Sequence, residues 1–206
     1  QYFPNWADHI IEKKSNIKKV DINVPKGHKV IMYTGNIGYA QNFDIILKLC
    51  FKTINQKIYW VFIGDGRFKN KLSKTIQANP KLKIKLINSV KVDLIKSYIH
   101  ASDFTLLSLS SKGIFNKTVP AKLQIYMCLA KPVIGIVSGE AKEIISNANC
   151  GIIINQSKID ESAEKIIELV NFEKSKIKSL GENGRSYYNK YFNSKFRKNQ
   201  LKKIIV

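Results

Sequence analysis

Lys122 is a cation placed where a helix favours anions. The run Thr118-Val119-Pro120 opens a predicted helix, with Thr118 as its N-cap and Pro120 near its first position. Lys122 falls in the first turn, where free N–H groups and the helix dipole already supply positive potential. A lysine there costs stability unless a negative group meets it, so the chemistry it suggests is anion binding. A solvated surface lysine in an ordinary α/β unit is the alternative. A second helix N-terminus follows at Ser138-Gly139, where Gly139 permits close approach and Glu140 could accept hydrogen bonds from hydroxyls or simply complement the dipole. Upstream, Gly35-Asn36-Ile37-Gly38 reads as a glycine loop between strand and helix. Gly35 can take a positive φ, Gly38 lets backbone approach a ligand, and Asn36 can donate through its amide. An ordinary turn has the same composition. The run Gly64-Asp65-Gly66 lacks the third glycine of a dinucleotide fingerprint. No Ser-His-Asp set, paired carboxylates or Cys-His set is apparent.

The elements that must position these residues alternate regularly. Strands are predicted at 29–34, 58–63, 82–87, 104–109, 133–137 and 151–154, each a short apolar run. Helices are predicted at 41–54, 68–78, 92–100, about 159–171 and 173–191, besides the two opened by Thr118 and Ser138. Leu123, Met127 and Ala130 share an apolar face, and Pro132 is expected to stop that helix. Asp103 is expected to cap the start of its strand, and Tyr98 and Tyr126 to lie in the core. Such βα alternation implies an α/β fold with a doubly wound, mostly parallel, Rossmann-like sheet, whose ligands bind beyond the carboxyl ends of the strands. The domain is expected over 29–192, preceded by a lead-in segment (1–28) and followed by a basic C-terminal helix or tail (193–206).

Composition narrows the partners. The 206 residues carry 35 Lys and Arg against 15 Asp and Glu, a net charge of +20. That excess points to an acidic partner: a nucleotide diphosphate, anionic headgroups or nucleic acid. The lysines are dispersed, which suits a membrane-facing surface better than a groove reader. No apolar run approaches the roughly 18 residues of a membrane span, and no signal peptide is read. Cys50, Cys128 and Cys150 are isolated and read as small buried hydrophobes, and His9, His28 and His100 are scattered. No metal site is expected.

Four runs in order carry a family resemblance: YTGNIGYAQN (33–42), VFIGDGRFKNKL (61–72), YIHASDFTLLSLS (98–110) and VPAKLQIYMCLAKPVIG with SGEAKEII (119–145). Together they resemble the donor-binding, C-terminal half of family 4 bacterial glycosyltransferases, which have the GT-B fold, and in particular the branch with VPAK-x-Q-x-YM. The resemblance implies a retaining sugar transfer from a UDP-sugar or GDP-sugar, without metal or other cofactor, to a cell-surface or lipid-linked glycan. It implies a cytoplasmic protein, with peripheral contact at the inner membrane face as the option its charge opens, and no nucleic acid. It implies that Gly35, Asn36, Ile37 and Gly38 cup the diphosphate or sugar, that Arg67 and Val90 lie near the nucleotide, and that Lys122, Gln124, Gly139 and Glu140 contact the donor. Leaving-group charge would fall to Lys122. The acceptor site would belong to an N-terminal domain outside this chain, and the lack of an initiator Met leads us to expect a fragment of low activity alone. The pattern departs in four places. Asn36 and Gln41 or Asn42 replace cations of the first loop, Ile125 replaces a ribose-binding Glu, and Ala130 replaces a glycine. A GT-B epimerase, a nucleic-acid-binding module and a non-catalytic domain remain alternatives.

Overall fold

The computed structural model describes residues 7, 11, 17–111, 118–195 and 197–199. Half of the expected lead-in segment, residues 112–117 of the loop after the fourth strand, and most of the basic tail lie outside these residues.

Six strands form one parallel sheet: β1 (Lys29–Thr34), β2 (Ile58–Ile63), β3 (Ile84–Ile87), β4 (Phe104–Ser108), β5 (Val133–Ile136) and β6 (Gly151–Ile153). Their order is β3-β2-β1-β4-β5-β6. The helices are α1 (Phe43–Lys52), α2 (Lys69–Ala78), α3 (Val92–His100), α4 (Ala121–Cys128), α5 (Gly139–Asn147), α6 (Ile159–Val170) and α7 (Lys174–Tyr191). β1 runs in register with β2 from Lys29 opposite Ile58 to Thr34 opposite Ile63, and pairs with β4 on its other side. The strands are short and apolar because both faces are covered. One face packs Tyr33, Phe62 and Trp60 with Phe43 of α1, Leu72 of α2 and Ile166 of α6. The other packs Met32, Val61 and Leu107 with Ile99 of α3, Leu123 of α4 and Ile145 of α5.

The helix after β1 therefore lies on one face and the helix after β4 on the other. The two neighbouring strands part company at their carboxyl ends, and a crevice opens between them. At the opposite end Asp103 ties the sheet together. Its carboxylate accepts from the Val30 N–H at 2.9 Å and pairs with Lys29 at 3.1 Å, so it caps β1 as well as preceding β4.

Three local expectations are corrected. The helix expected over 41–54 is a short 3₁₀ turn at Tyr39–Gln41 followed by α1, with Asn42 left-handed at φ 49° between them. Gln41 is the reason: its side chain turns back to the glycine loop instead of joining the helix face. Thr118 is not the N-cap of α4. That place belongs to Pro120, extended at ψ 133°, because a proline disfavours helical geometry in the residue before it. The same helix ends before Pro132. Ala130 goes left-handed at φ 52°, and its N–H bonds Met127 O while Lys131 N–H bonds Tyr126 O, both at 3.0 Å. This is a Schellman closure with alanine where glycine is usual.

Candidate anion site at the switch point

The site grows outward from the ends of β1 and β4. β1 ends in Tyr33-Thr34 and turns at Gly35, whose φ of 116° suits only glycine. A side chain is excluded there for a second reason: a Cβ would stand 2.9 Å from Lys122 Cε and 3.0 Å from its Nζ. Lys122, from the first turn of α4, lies across that bare Cα. Its ammonium donates to the Tyr33 hydroxyl at 2.6 Å and sits 4.1 Å from the centre of the Tyr33 ring. The hydroxyl donates in turn to the Asn36 carbonyl at 2.5 Å.

The electrostatics follow from burial. No carboxylate among the described residues pairs with Lys122, and burial pushes its pKa down to about 8. Burial, with Tyr126 nearby, pushes the Tyr33 hydroxyl far upward. Tyr33 therefore keeps its proton, directs it to Asn36, and offers lone pairs to Lys122. Tyr126 is buried as expected, and its hydroxyl meets the Thr34 N–H at 3.3 Å and the Thr34 Oγ1 at 3.2 Å. Burial raises its pKa to about 12.

The glycine loop is braced rather than loose. Its Asn36–Ile37 peptide is held on both sides, since the Ile37 N–H donates to Asp65 O at 2.6 Å. The Ile37 carbonyl accepts from the Phe68 N–H at 2.9 Å, and its side chain is fully buried. Gln41 Oε1 accepts from both the Gly38 N–H and the Asn36 Nδ2, each at 3.1 Å. The second loop packs directly on the first. A Cβ on Gly64 would stand 1.8 Å from the Gly35 carbonyl oxygen, and one on Gly66 2.5 Å from Asn36 Oδ1 and from the Ile37 oxygen. The Gly-Asp-Gly run thus serves loop-on-loop packing.

The remaining expected site residues share the carboxyl edge. Arg67 is exposed at the end of β2, Val90 half-buried after β3, and Gly139 and Glu140 exposed at the start of α5 after β5. None of the four is held against Lys122. Gln124 is fully buried, and neither its Oε1 nor its Nε2 has a hydrogen-bond partner among the described residues. A buried amide left unmatched on both atoms costs several kcal/mol in principle, of order 1–3 per group. Two contributors were not expected from sequence: Tyr33, and the packing role of Gly64 and Gly66. The signal for Tyr33 is a lone polar aromatic in the last buried turn of an apolar strand. A cavity of about 680 Å³ lies elsewhere, between the carboxyl-terminal ends of α3 and α4 and the side of α7, near His100, Leu129 and Arg185.

A doubly wound parallel sheet with a cationic, glycine-walled notch at its switch point defines a Rossmann-like α/β domain suited to an anion. The chain belongs to the family described as Glycosyl transferases group 1, which its sequence matches over residues 14–187. It is 27% identical over 134 residues to the Pseudomonas aeruginosa protein described as "Probable glycosyltransferase WbjE", covering 63% of this chain and 33% of that one. It spans about a third of the length of the first curated relatives it matches. Its fold is similar to that of Anabaena Alr3699/HepE, solved with UDP and glucose, at a TM-score of 0.69 and 16% identity, covering 86% of this chain and 48% of that one. It is also similar to the C-terminal domain of the group 1 glycosyl transferase LpcC from Francisella tularensis, at 0.64 and 20%, covering 79% and 85%. No helix among the described residues is long and apolar enough to cross a membrane.

Proposed function

We propose that this chain is the C-terminal, nucleotide-sugar-binding domain of a retaining GT-B glycosyltransferase that transfers a hexosyl group to a cell-surface or lipid-linked glycan. One observation carries the reading: a half-buried lysine that pairs with no carboxylate among the described residues, lying over a bare glycine at the switch point of a parallel sheet. A bound anion would supply such a cation with a counter-charge. The diphosphate of a donor fits, with Lys122 and the α4 N-terminus meeting charge that grows as the sugar leaves. This is preorganised electrostatic stabilisation, needing no protein nucleophile from this chain. In this reading Gly35, Asn36 and Gly38 shape the loop beneath the phosphates, and Ile37 anchors that loop from the core. Arg67, Val90, Gly139 and Glu140 line the same edge toward nucleotide and sugar. The neighbour solved with UDP supports the choice of ligand class. The acceptor would bind to a preceding domain, so the chain alone would turn over little.

Titration calorimetry with UDP and GDP tests the reading. Binding of one of them, lost in Lys122→Ala, is the expected result; no binding of either would overturn it. Residues 17–100 carry sixteen Lys and Arg against four acids, which favours a location against an anionic membrane surface. Flotation on vesicles with and without phosphatidylglycerol tests that part, and a DNA duplex that bound more tightly than the vesicles would replace it with a nucleic-acid reading.

A further inference from the structure

The proposed donor site gives no role to the buried Tyr33 hydroxyl, which sits at the centre of the hydrogen bonding. We infer that Tyr33 is a positioning residue, which fixes both the Lys122 ammonium and the glycine loop in the geometry that receives a diphosphate. The inference rests on the donor-site reading and adds to it a residue that touches no ligand.

Tyr33 is fully buried at the end of β1, and its ring is wedged edge-on against Phe43 at 5.1 Å between centres. The ring cannot swing, so its hydroxyl is a fixed point. From that point two bonds run in opposite senses. The hydroxyl donates to Asn36 O at 2.5 Å and accepts from Lys122 Nζ at 2.6 Å. The first bond matters because a carbonyl oxygen turned toward an incoming phosphate would repel it. With Asn36 O held by Tyr33, and the Ile37 N–H of the same peptide held by Asp65 O at 2.6 Å, that peptide cannot rotate its oxygen outward. The second bond matters because a lysine has four rotatable bonds and gains solvation by leaving a buried notch. Tyr33 supplies the only side-chain acceptor that meets Lys122 among the described residues, and its ring face adds attraction for the cation. A phenylalanine would fill the same space and keep the ring, yet would release both bonds. Packing alone therefore does not explain the hydroxyl.

Tyr33→Phe is the variant that separates the roles, because it keeps the ring and the core. Two readouts are needed. The first uses no ligand: the titration of Lys122 followed by NMR of its side-chain Cε. With the hydroxyl gone, the amine is expected to swing to solvent and titrate close to an ordinary lysine, well above its midpoint in the unaltered protein. An unchanged midpoint would mean that Tyr33 does not hold Lys122, and would overturn the inference whether or not a donor binds. The second is calorimetry with UDP and GDP for Tyr33→Phe, Lys122→Ala and the double variant. Tyr33→Phe is expected to weaken binding about tenfold at pH 7 and to cost much less once Lys122 is already alanine. An equal tenfold loss in both backgrounds would show that Tyr33 acts independently of Lys122, against the inference. If neither diphosphate binds the unaltered protein while the NMR shift is seen, the donor reading falls and the positioning role falls with it, leaving a lysine anchor of the fold.

Discussion

Replacing Lys122 by methionine should make the protein more stable and the site useless. The two effects have one cause, an ammonium partly withdrawn from water that pairs with no carboxylate among the described residues. A fall of its pKa from the ordinary 10.5 to about 8 corresponds to about 3 kcal/mol against the charged form. Methionine has a similar length and no charge to desolvate. It forfeits the bond to Tyr33 and the contact with the ring, together about 1–2 kcal/mol. The balance is a gain of about 1–2 kcal/mol at pH 7, or about 3–6 °C in the melting midpoint for a domain of this size. The pH dependence has a definite sign. Between about pH 8 and 10.5 the unfolded chain keeps the lysine proton that the folded chain has shed. The unfolded state then binds more protons, so the wild type gains stability with rising pH relative to the variant. The wild type regains about 1.4 kcal/mol per pH unit above pH 8, so the difference should close near about pH 9 and reverse by about pH 10.5. Ligand binding runs the other way. Affinity for the nucleoside diphosphate should be level below pH 8 and fall above it, and methionine should lower it by about 30- to 150-fold, as removing one side of a buried charge pair does, at about 2–3 kcal/mol. Thermal melts from pH 6.5 to 10.5, with calorimetric titration of UDP and GDP at each pH, read both quantities. A methionine variant that melts lower than wild type at pH 7, or that binds as tightly, would refute the reasoning.

Gln124→Met should behave in the same sense for a different reason: it removes two unmatched buried polar atoms, so a gain of about 1–2 kcal/mol in denaturant unfolding is expected, with weaker diphosphate binding if the amide meets the donor. Gly64→Ala should do the opposite. Its Cβ would collide with the Gly35 carbonyl, so a loss of about 3 kcal/mol or more and a displaced glycine loop are expected, measured by melting and by loss of UDP or GDP binding. Ala130→Gly should relieve the left-handed closure of α4 and raise stability by about 0.5–1 kcal/mol, read as a small rise in melting midpoint with affinity unchanged.

The sheet was legible because each strand is a short apolar run bounded by turn residues, a pattern that parallel burial imposes locally. All six strands fall where those runs lie, two with the expected bounds and four with one end moved by one or two residues. The helix starts were less legible. Thr118 has the right chemistry for a cap, but Pro120 overrides it through backbone sterics two residues on. Asn42 interrupts a helical pattern because Gln41 is drawn into the loop, a tertiary demand invisible to periodicity. In the site, Gly35 and Lys122 stood out as residue types out of place. Tyr33 did not, because its partner lies 89 positions away. The Gly-Asp-Gly run was legible only as lacking the third glycine of a dinucleotide fingerprint, and what its glycines make room for, the neighbouring loop, is set by a tertiary contact.

The case for a ligand rests more on cost than on likeness. The solved neighbours are distant enough in sequence that they speak for the fold. At one corner of that fold, however, two expenses coincide. Among the described residues, a half-buried lysine is held at about 3 kcal/mol with no acid to match it, and a glutamine in the same helix is buried with both amide atoms unmatched. Against a typical domain stability of about 5–15 kcal/mol these are large. Either could be removed by one apolar substitution with no change of shape. Where the family's first loop carries cations, this chain has Asn36 and Gln41 bonded to each other. A neutral amide pair adds no repulsion to the half-buried ammonium, so Lys122 can stay charged near neutral pH despite its surroundings. The arrangement is costly only while the notch holds no anion. A bound diphosphate would return the missing counter-charge to Lys122, and its binding energy would offset what the folded chain gives up to keep that lysine in place.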